Sequence, residues 1–202
     1  MSPASEPGDG DGAPSKAMLR RRLRRDRKQR ERRQRQADAA GLNRHLLGME
    51  AVCSAAWVAG YFAFDGEPDI RFSLTQLCRR GIGVVLPVVP ETPGALLRFH
   101  RWTPATPLTV NRYGISEPRG GDVVPLEHID TWLLPLVAFD RAGNRLGMGA
   151  GWYDRVLGEQ KAKAFRLGVA WSDQEVDRIP VEPWDQRLDA VVTERESFHC
   201  EE

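Results

Sequence analysis

The sequence predicts a single α/β domain of the Rossmann-like, three-layer kind, with a mostly parallel central sheet and helices on both faces. Short apolar segments alternate along the chain with segments of helical spacing, as a parallel sheet covered on both faces requires. A second observation is the stretch RLGMGAGWYDRVL, residues 145–157, which follows an apolar segment and precedes a helix-like one. Ligands of such sheets bind at the carboxyl ends of the strands, where this stretch is expected to lie.

Length and composition limit the class of protein. With 202 residues, 41% apolar and 28% charged, the chain suits one globular domain with a substantial core. No apolar run approaches the ~18–20 residues of a membrane helix, and the first residues lack the apolar core of a signal peptide. Cys53, Cys78 and Cys200 have no metal-type spacing, so we expect reduced thiols in a cytoplasmic protein.

The expected domain occupies residues 16–198, between a Gly-, Pro-, Asp- and Ser-rich disordered tail (1–15) and a short tail (199–202). Residues 16–35 hold twelve Lys and Arg against two acidic residues, a local charge of +10, whereas the whole chain carries +1. The basic region 16–48 can therefore bind nucleic acid or an anionic membrane. Alternatively, it is a solvated helix packed on an acidic body, with one or two cations directed at an anionic ligand.

The first half of the domain shows one helical region, a strand and a second helix. Residues 16–47 contain strong helix formers interrupted only by Gly41, which predicts one or two helices. Residues 52–64 are apolar and aromatic and predict a buried strand. Residues 70–80 have helical spacing, and Gly81 is placed to end that helix.

The remaining elements follow the same alternation. Residues 103–125 contain four prolines and three glycines and predict a loop, and a helix is expected over 152–163. Apolar runs predict buried strands at residues 83–89, 95–102, 129–140, 165–171 and 188–193.

The three alternating glycines, Gly147, Gly149 and Gly151, raise the question of a phosphate site. Glycine leaves backbone N–H groups accessible, and a helix that begins directly afterwards adds unpaired N–H groups and a partial positive charge. The spacing matches neither the dinucleotide fingerprint nor the P-loop. A flexible turn between a strand and a helix therefore remains the alternative.

Four side chains around the glycines bear on that choice. Arg145 can pair with a phosphate oxygen, and Asp154 in the first helical turn can hold Mg²⁺ or merely stabilise the helix start. Trp152 and Tyr153 are either core residues or the lining of a pocket for a flat ring. The residues alone leave these alternatives open.

Several separated motifs, taken together, are more specific. In chain order they are K-x-x-x-R at Lys16 and Arg20, YFAFDGEPD (61–69), LPVV (86–89), NRYGISEP (111–118), PLVAFDRAGNRLGMGAGWYDRVL (135–157) and PVEPWDQRLDAVVT (180–193). The chain thereby resembles the 5-formyltetrahydrofolate cyclo-ligases, also called 5,10-methenyltetrahydrofolate synthetases.

The resemblance implies a single α/β domain that converts 5-formyltetrahydrofolate to 5,10-methenyltetrahydrofolate, consuming ATP with Mg²⁺ and releasing ADP and phosphate. It implies that the formyl oxygen is phosphorylated before N10 of the folate closes the ring. A monomer is expected, with no membrane and no nucleic-acid partner, and the folate substrate is expected with or without a polyglutamate tail. No nucleophilic side chain is needed, and none of the four histidines has a triad-like context.

The resemblance also implies roles for individual residues. Catalytic roles fall on Arg145, Tyr153 and Asp154, and Mg²⁺ ligation on Asp154 and Asp185, with Asp189 less favoured. ATP contacts fall on Lys16, Arg20, Arg145, Leu146, Gly147, Met148, Gly149, Ala150, Gly151, Trp152 and Tyr153. Folate contacts fall on Phe62, Glu67, Tyr113, Glu117, Met148, Gly149 and Trp152. Phe62 is equally well explained as a core residue. The ten other basic residues of 16–35 are expected to form a solvated face.

One departure from the family pattern matters. Many members of the family that this chain resembles carry lysine at the position of Ala150. The loss of a cation from the phosphate site puts catalytic strength in doubt more than the type of reaction. Three alternatives therefore stay open: a catalytically weak formyl-folate-binding protein, a nucleic-acid-binding module built on the basic helix, and an enzyme of similar architecture that acts on sugar phosphates.

Overall fold

The computed structural model describes residues 15–92, 94–160 and 164–201. The expected tail over residues 1–14 lies outside them, while Ser15 caps the first helix by accepting a hydrogen bond from the Met18 N–H. The helices are α1 (Lys16–Gln29), α2 (Arg32–Leu46), α3 (Glu50–Cys53), α4 (Arg71–Arg79) and α5 (Trp152–Glu159). Short 3-10 helices span Leu126–His128 and Ser172–Gln174. No helix within the described residues is long and apolar enough to cross a membrane.

Seven strands form the central sheet, and two small hairpins lie beside it. The strands are β1 (Trp57–Ala59), β2 (Gly83–Val88), β3 (Arg98–Trp102), β4 (Leu108–Val110), β5 (Ser116–Pro118), β6 (Thr131–Pro135), β7 (Ala138–Phe139), β8 (Arg145–Leu146), β9 (Phe165–Val169), β10 (Ala190–Val192) and β11 (Ser197–His199). β4 pairs with β5, and β7 pairs with β8.

The central sheet has the order β11-β10-β9-β6-β1-β2-β3. The five inner strands are parallel, and only the edge strands β3 and β11 run antiparallel to their neighbours. This confirms the predicted α/β fold with a mostly parallel sheet. From β1 the chain first proceeds to β2 and β3 on one side and then returns to β6 on the other. The strand order therefore reverses between β1 and β6, which opens a crevice at their carboxyl ends.

Helices cover the two faces of this sheet, as a parallel sheet requires. On one face, α2 and α4 contribute the fully buried Leu42, Leu46, Leu74 and Leu77. On the other face, Val156 and Leu157 of α5 pack in a cluster with aromatic residues of β3 and β6. The first helix α1 stands apart from both, because Leu19 and Leu23 pack against Val137, Ala138 and Leu146 of the β7–β8 region.

Several predicted boundaries are wrong, two of them because an apolar run does not remain in one strand. Residues 52–64 include the end of α3, and only β1 pairs within the sheet, so the segment after Gly60 leaves it at the crevice. Residues 129–140 divide into β6 and β7. The predicted loop 103–125 contains the β4–β5 hairpin, and β11, which was not expected, extends to His199.

Asn43 joins the two helices on one face of the sheet. Its amide nitrogen donates to the carbonyl oxygens of Ala39 and Asp69 at 2.7 and 3.0 Å, and its Oδ1 accepts from the Ser73 N–H at 3.0 Å. The side chain is buried, so α2 and the start of α4 depend on it for their polar contacts.

We expect Asn43→Ala to lower the free energy of unfolding by about 1–3 kcal/mol, because buried donors and acceptors lose their partners. Urea unfolding followed by circular dichroism measures this change. Gln36→Ala, a truncation at an exposed position of the same helix, is the matched control and should change stability little. Equal stability of the two variants would show that Asn43 does not hold the helices together.

Candidate active site

A cleft of about 510 Å³ occupies the crevice where the strand order reverses. Tyr61 and Phe62, which follow β1, line it together with Pro87 of β2 and Leu136, which follows β6. The coil after each strand is apolar here because it forms the wall of the cleft, although the sequence pattern suggested continued strand. The cleft therefore lies where an open parallel sheet is expected to bind its ligand.

The first helix and the C-terminal segment close one end of this cleft. Lys16 Nζ lies 2.6 Å from Asp185 Oδ2, and the guanidinium of Arg20 donates from Nε to the Gly147 carbonyl oxygen at 2.9 Å. All four residues line the cleft. The two cations that the family resemblance assigns to a nucleotide thus lie at one mouth of the cleft, beside the glycine loop.

The glycine loop, residues 147–151, joins β8 to α5. Gly149 and Gly151 have φ of +103° and +64°, a backbone conformation that side chains with a Cβ rarely adopt. Gly151 is the N-cap of α5, and its lack of a side chain leaves the first-turn N–H groups of α5 without a side-chain cap. The loop lines the crevice at the carboxyl ends of the strands, as expected, but the strand that it follows, β8, belongs to a two-stranded hairpin and not to the central sheet.

Arg145 and Asp154 form a short ion pair at the base of the loop. Arg145 Nη2 donates to Asp154 Oδ1 at 2.6 Å, and only 3% of the Arg145 side chain is exposed. Burial lowers the pKa of Arg145, and the charge of Asp154 opposes that shift. Arg145 Nε is buried with no hydrogen-bond partner among the described residues, so the guanidinium keeps an unused donor beside the cleft.

The two carboxylates assigned to a metal, Asp154 and Asp185, both line the cleft. No cluster of three potential metal ligands occurs in the described part of the chain. However, the hydrogen bonds from described residues go to Asp154 Oδ1 and Asp185 Oδ2. The other oxygen of each carboxylate, Asp154 Oδ2 and Asp185 Oδ1, accepts none from these residues. Two carboxylate oxygens completed by phosphate and water match the preference of Mg²⁺. Asp189 lies elsewhere and accepts from the Arg166 N–H.

The remaining lining of the cleft is largely apolar and aromatic. Phe62 is both wall and core, since it lines the cleft and packs edge-on against Trp102 at 5.6 Å between ring centroids. The Arg71 guanidinium lies over the Phe62 ring at 4.5 Å. Tyr113, on the turn between β4 and β5, and Met148 of the glycine loop line the same space and remain partly exposed.

Glu67 supplies a buried carboxylate to this apolar region. Its Oε2 accepts from the Phe64 N–H at 3.0 Å, and its Oε1 lies 3.7 Å from the Arg27 Nη1. Burial raises the pKa of Glu67 to about 7, and the charge of Arg27 opposes that shift. Tyr153, whose hydroxyl has no hydrogen-bond partner in the described residues, also has a raised pKa, through burial and the charge of Glu67.

Glu117 is the one predicted site residue that the structure does not bring to the cleft surface. It is buried behind the wall, where its Oε2 accepts from the Val89 N–H at 3.1 Å and from Asn111 Nδ2 at 2.9 Å. Asn111 does line the cleft. Glu117 therefore fixes the β4–β5 hairpin that carries Asn111 and Tyr113, and its carboxylate is engaged with the protein.

The basic region is only in part the solvated face that the sequence predicted: Arg21, Arg22, Arg25 and Arg33 are exposed, whereas several other cations are engaged with the protein. Arg27 is completely buried, Arg24 Nε and Lys28 Nζ pair with the Asp65 carboxylate at 2.8 and 2.6 Å, and Arg30 pairs with Asp38. Asp65 and backbone carbonyls compensate the charge that burial would otherwise make costly. These pairs leave fewer cations for nucleic acid than composition suggested.

Sequence reasoning missed several residues that line the cleft, and it also missed Arg27, which lies behind the cleft surface. Arg27 lies seven positions after Arg20, a spacing that places both on one helix face, and this was the available signal. Trp184 lies between a proline and Asp185 and is exposed on the rim. Tyr61 lies within a recognised motif, but its hydroxyl, which donates to the Pro68 carbonyl oxygen at 3.0 Å, gave no sequence signal.

The raised pKa of Glu67 predicts a pH-dependent contribution to stability. A carboxyl whose pKa is higher in the folded than in the unfolded state destabilises the fold as pH rises from 4.5 through about 7. Relative to Glu67→Gln, the wild-type protein should therefore lose about 1–3 kcal/mol of unfolding free energy over that range. Urea unfolding of both proteins at several pH values measures the difference. A constant difference would contradict the shift.

Comparisons with known proteins agree with this geometry. The model of the 5-formyltetrahydrofolate cyclo-ligase family matches residues 13–194. The chain is 44% identical over 145 residues to the 5-formyltetrahydrofolate cyclo-ligase of Escherichia coli (strain K12), covering 70% of this chain and 80% of that protein. It is 33% identical over 185 residues to the cyclo-ligase of Mycolicibacterium smegmatis, covering 89% of this chain and 93% of that protein.

Solved structures show the same similarity. The NMR structure of 5,10-methenyltetrahydrofolate synthetase from Aquifex aeolicus superposes with a TM-score of 0.81 at 31% identity, covering 93% of each chain. A 5,10-methenyltetrahydrofolate synthetase from Mycoplasma pneumoniae, at 23% identity and a TM-score of 0.73, covers 89% of this chain and 98% of that chain and supports the fold alone. Since the family model and these relatives match most of its length, the chain belongs to the 5-formyltetrahydrofolate cyclo-ligase family.

Proposed function

We propose that this protein converts 5-formyltetrahydrofolate to 5,10-methenyltetrahydrofolate in a reaction that consumes ATP with Mg²⁺ and releases ADP and phosphate. The observation that carries this proposal is the meeting of two kinds of wall in one cleft. Cations, the glycine loop and two carboxylates line this cleft together with aromatic side chains and the buried Glu67. A phosphate donor and a flat heterocycle can therefore bind next to each other.

The phosphate side is supported by the groups around the glycine loop. The uncapped N–H groups at the start of α5 are suited to an anion, as is the unused Nε donor of the buried Arg145. Lys16 and Arg20 stand at the same mouth. In this arrangement the nucleotide phosphates lie along residues 147–151, with Lys16 and Arg20 on their outer side.

Asp154 and Asp185 would hold Mg²⁺ through the oxygens that the protein leaves unpaired. Bound there, the ion would neutralise phosphate charge and so favour phosphoryl transfer. Arg145 and Lys16 fix the orientation of these carboxylates, because each donates to the other oxygen of its partner. These two pairs are the reason to assign the metal to this end of the cleft.

The folate side is supported by Glu67, Phe62 and Tyr113. In its ionised form Glu67 accepts hydrogen bonds, which suits the amino and ring N–H groups of a pterin. Phe62 offers an aromatic wall, and Tyr113 an exposed ring that can stack on the substrate. We therefore place the pterin between these residues and Met148.

The proposed chemistry has two bond-forming steps. The formyl oxygen attacks the γ-phosphorus of ATP, and ADP leaves as the oxygen–phosphorus bond forms. N10 of the folate then attacks the formyl carbon and loses its proton, and phosphate leaves as the carbon–oxygen bond breaks. The protein contributes position and charge. Arg145 and the Tyr153 hydroxyl are the side chains that we assign to the transferring group.

Ala150 bears on the strength of catalysis. Its carbonyl oxygen accepts from Arg155 Nη1 at 2.9 Å, and the Arg155 guanidinium lies over the Trp152 ring at 4.8 Å. A cation therefore lies beside the position where many family members carry lysine. This contact supports turnover by the chain in spite of the alanine.

The assay that tests the proposal follows the near-ultraviolet absorbance of the methenyl product in a mixture of protein, 5-formyltetrahydrofolate, Mg²⁺ and ATP. Product formation should require ATP, and Asp154→Asn should lower kcat by about 100-fold or more, because charge stabilisation of the transferring phosphoryl group is lost. Asp122→Asn, which removes an exposed carboxylate outside the cleft, is the matched control. A flat trace from wild-type protein that still binds the folate would favour the formyl-folate-binding alternative.

A second prediction concerns Ala150. We expect Ala150→Lys to lower the KM for ATP by up to about tenfold, because one charge-assisted hydrogen bond to a phosphate is worth roughly 1–2 kcal/mol. The KM for the folate should change little, which initial-rate measurements with each substrate varied separately will show. If neither KM moves, the position does not face the phosphates.

A further inference from the structure

Arg27 of α1 is the completely buried cation at the junction of three segments. Its Nε donates to the Asp65 carbonyl oxygen at 2.9 Å, and its Nη1 to the Leu136 carbonyl oxygen at 3.0 Å. Its Nη2 donates to the Asp65 carboxylate at 3.2 Å. The guanidinium therefore joins the first helix to the loop after β1 and to the end of β6, which are two walls of the cleft.

Two further contacts connect Arg27 to the site itself. Its Nη1 lies 3.7 Å from Glu67 Oε1, and its Nη2 lies 3.9 Å from the sulfur of Met148 in the glycine loop. Arg27 does not line the cleft, but Glu67 and Met148 do. One guanidinium thus contacts a residue on the folate side and a residue on the nucleotide side from behind.

We propose that Arg27 is a positioning residue of the folate site, which keeps the Glu67 carboxylate charged and directed into the cleft and ties it to the glycine loop. This rests on the proposed function, because the folate contact of Glu67 is part of that function. Arg27 acts through Glu67 and does not itself touch the substrate.

The charges around Glu67 single out Arg27. Burial is the largest influence on the Glu67 pKa and raises it, and Arg27 is the largest influence that lowers it. Within the described residues, Arg27 is the cation within salt-bridge distance of this carboxylate. The other titratable or charged groups that face Glu67 are Arg24 and Asp65, Tyr61 and Tyr153, and the residues Arg35, Asp69 and Arg71, which share a second hollow with it.

Loss of this cation has a defined consequence for binding. An opposite charge at this distance ordinarily shifts a carboxyl pKa by about 1–3 units, so without Arg27 Glu67 remains protonated to higher pH. A protonated carboxyl offers the pterin one acceptor fewer and presents a donor to its N–H groups. Folate binding should therefore weaken at neutral pH and recover at alkaline pH.

The test compares the KM for 5-formyltetrahydrofolate and kcat from about pH 6 to 9 in wild-type protein, Arg27→Met and Arg27→Lys. At pH 7.5 we expect Arg27→Met to raise the folate KM about tenfold, with kcat at saturation within about threefold of wild type. The midpoint of the KM profile should move to higher pH by about 1 unit or more. Arg27→Lys keeps the charge without the planar fork, and the midpoint of its KM profile should lie close to the wild-type value.

Lys28→Met is the matched control, since Lys28 also pairs with Asp65 from the same helix but is exposed and has no contact with Glu67. It should leave the KM profile at the wild-type midpoint. A shift as large as that of Arg27→Met would overturn the proposal. An Arg27→Met profile with an unchanged midpoint would also overturn the proposal. The same holds for a loss of kcat/KM that is equal at every pH.

Two measurements separate this proposal from the proposed function. The Glu67 carboxyl can be titrated by ¹³C NMR in glutamate-labelled protein, with its signal assigned by loss in Glu67→Gln. If the Glu67 carboxyl titrates with a higher midpoint in Arg27→Met than in wild type, the charge-holding role of Arg27 is supported. This conclusion does not depend on whether Glu67→Gln binds folate. Normal folate binding by Glu67→Gln would instead remove the assignment of Glu67 to the folate. If Arg27→Met does not fold, the same titration in Arg27→Gln decides, because glutamine removes the charge but keeps amide donors for the backbone carbonyls. An unshifted Glu67 signal together with a normal folate KM in that variant overturns the proposal.

In a Glu67→Gln background, Arg27→Met should add no further pH dependence to the folate KM, because the titrating group is absent. The same pair also tests folding, since neutralising both partners should recover part of the stability that Arg27→Met loses. A pH-dependent rise in KM that persists without Glu67 would show that Arg27 acts through another group.

Discussion

The burial of one guanidinium on the first helix constrains the rest of the structure. A charge removed from water is tolerated only when hydrogen bonds and opposite charges replace the water, and for Arg27 those partners come from the loop after β1 and from the end of β6. Helix α1 is therefore fixed to the sheet although its sequence is dominated by arginine and lysine. Its hydrophobic contacts, Leu19 and Leu23, are too few to explain that attachment alone.

The attachment of α1 explains why one cleft combines two kinds of wall. The reversal of strand order between β1 and β6 provides an opening lined by apolar coil. The sheet by itself offers no cations at that opening, and α1 brings Lys16 and Arg20 to it while the β7–β8 hairpin delivers the glycine loop. The composition of the cleft lining thus depends on the packing of α1 against the β7–β8 hairpin, in addition to the crevice that the parallel sheet provides.

The hydrophobic pattern predicted the fold class well, because the inner strands are largely buried and appear as apolar runs. It failed at the ends of β1 and β6, where the chain remains apolar after leaving the sheet because it forms the cleft. The motifs correctly pointed to the residues that line the cleft, including Glu67 and Asp185. They gave no sign that Glu117 is engaged by Val89 and Asn111, since the sequence of this segment is the same whether its carboxylate faces a ligand or the protein.

For a related reason, the spacing of Arg20 and Arg27 indicates a shared helix face but could not predict that Arg27 is buried. In a helix with many arginines, the single buried member differs from its neighbours only by position, and that position has meaning only once the partners of the helix are known. Asp65 and Leu136, which decide it, are 38 and 109 residues away in sequence. Long-range polar contacts of this kind leave no local periodicity.

The Lys16–Asp185 ion pair has a consequence for how the site forms. The two residues are 169 positions apart, so their contact closes a loop of most of the chain. Contacts of such high sequence separation are costly to form early, because the loop entropy must be lost before they contribute. During synthesis, the first residue of the cleft emerges long before its last, and the end of the cleft beside the glycine loop is completed only when the C-terminal segment docks. Ligand binding at that end would then report that the whole chain has folded.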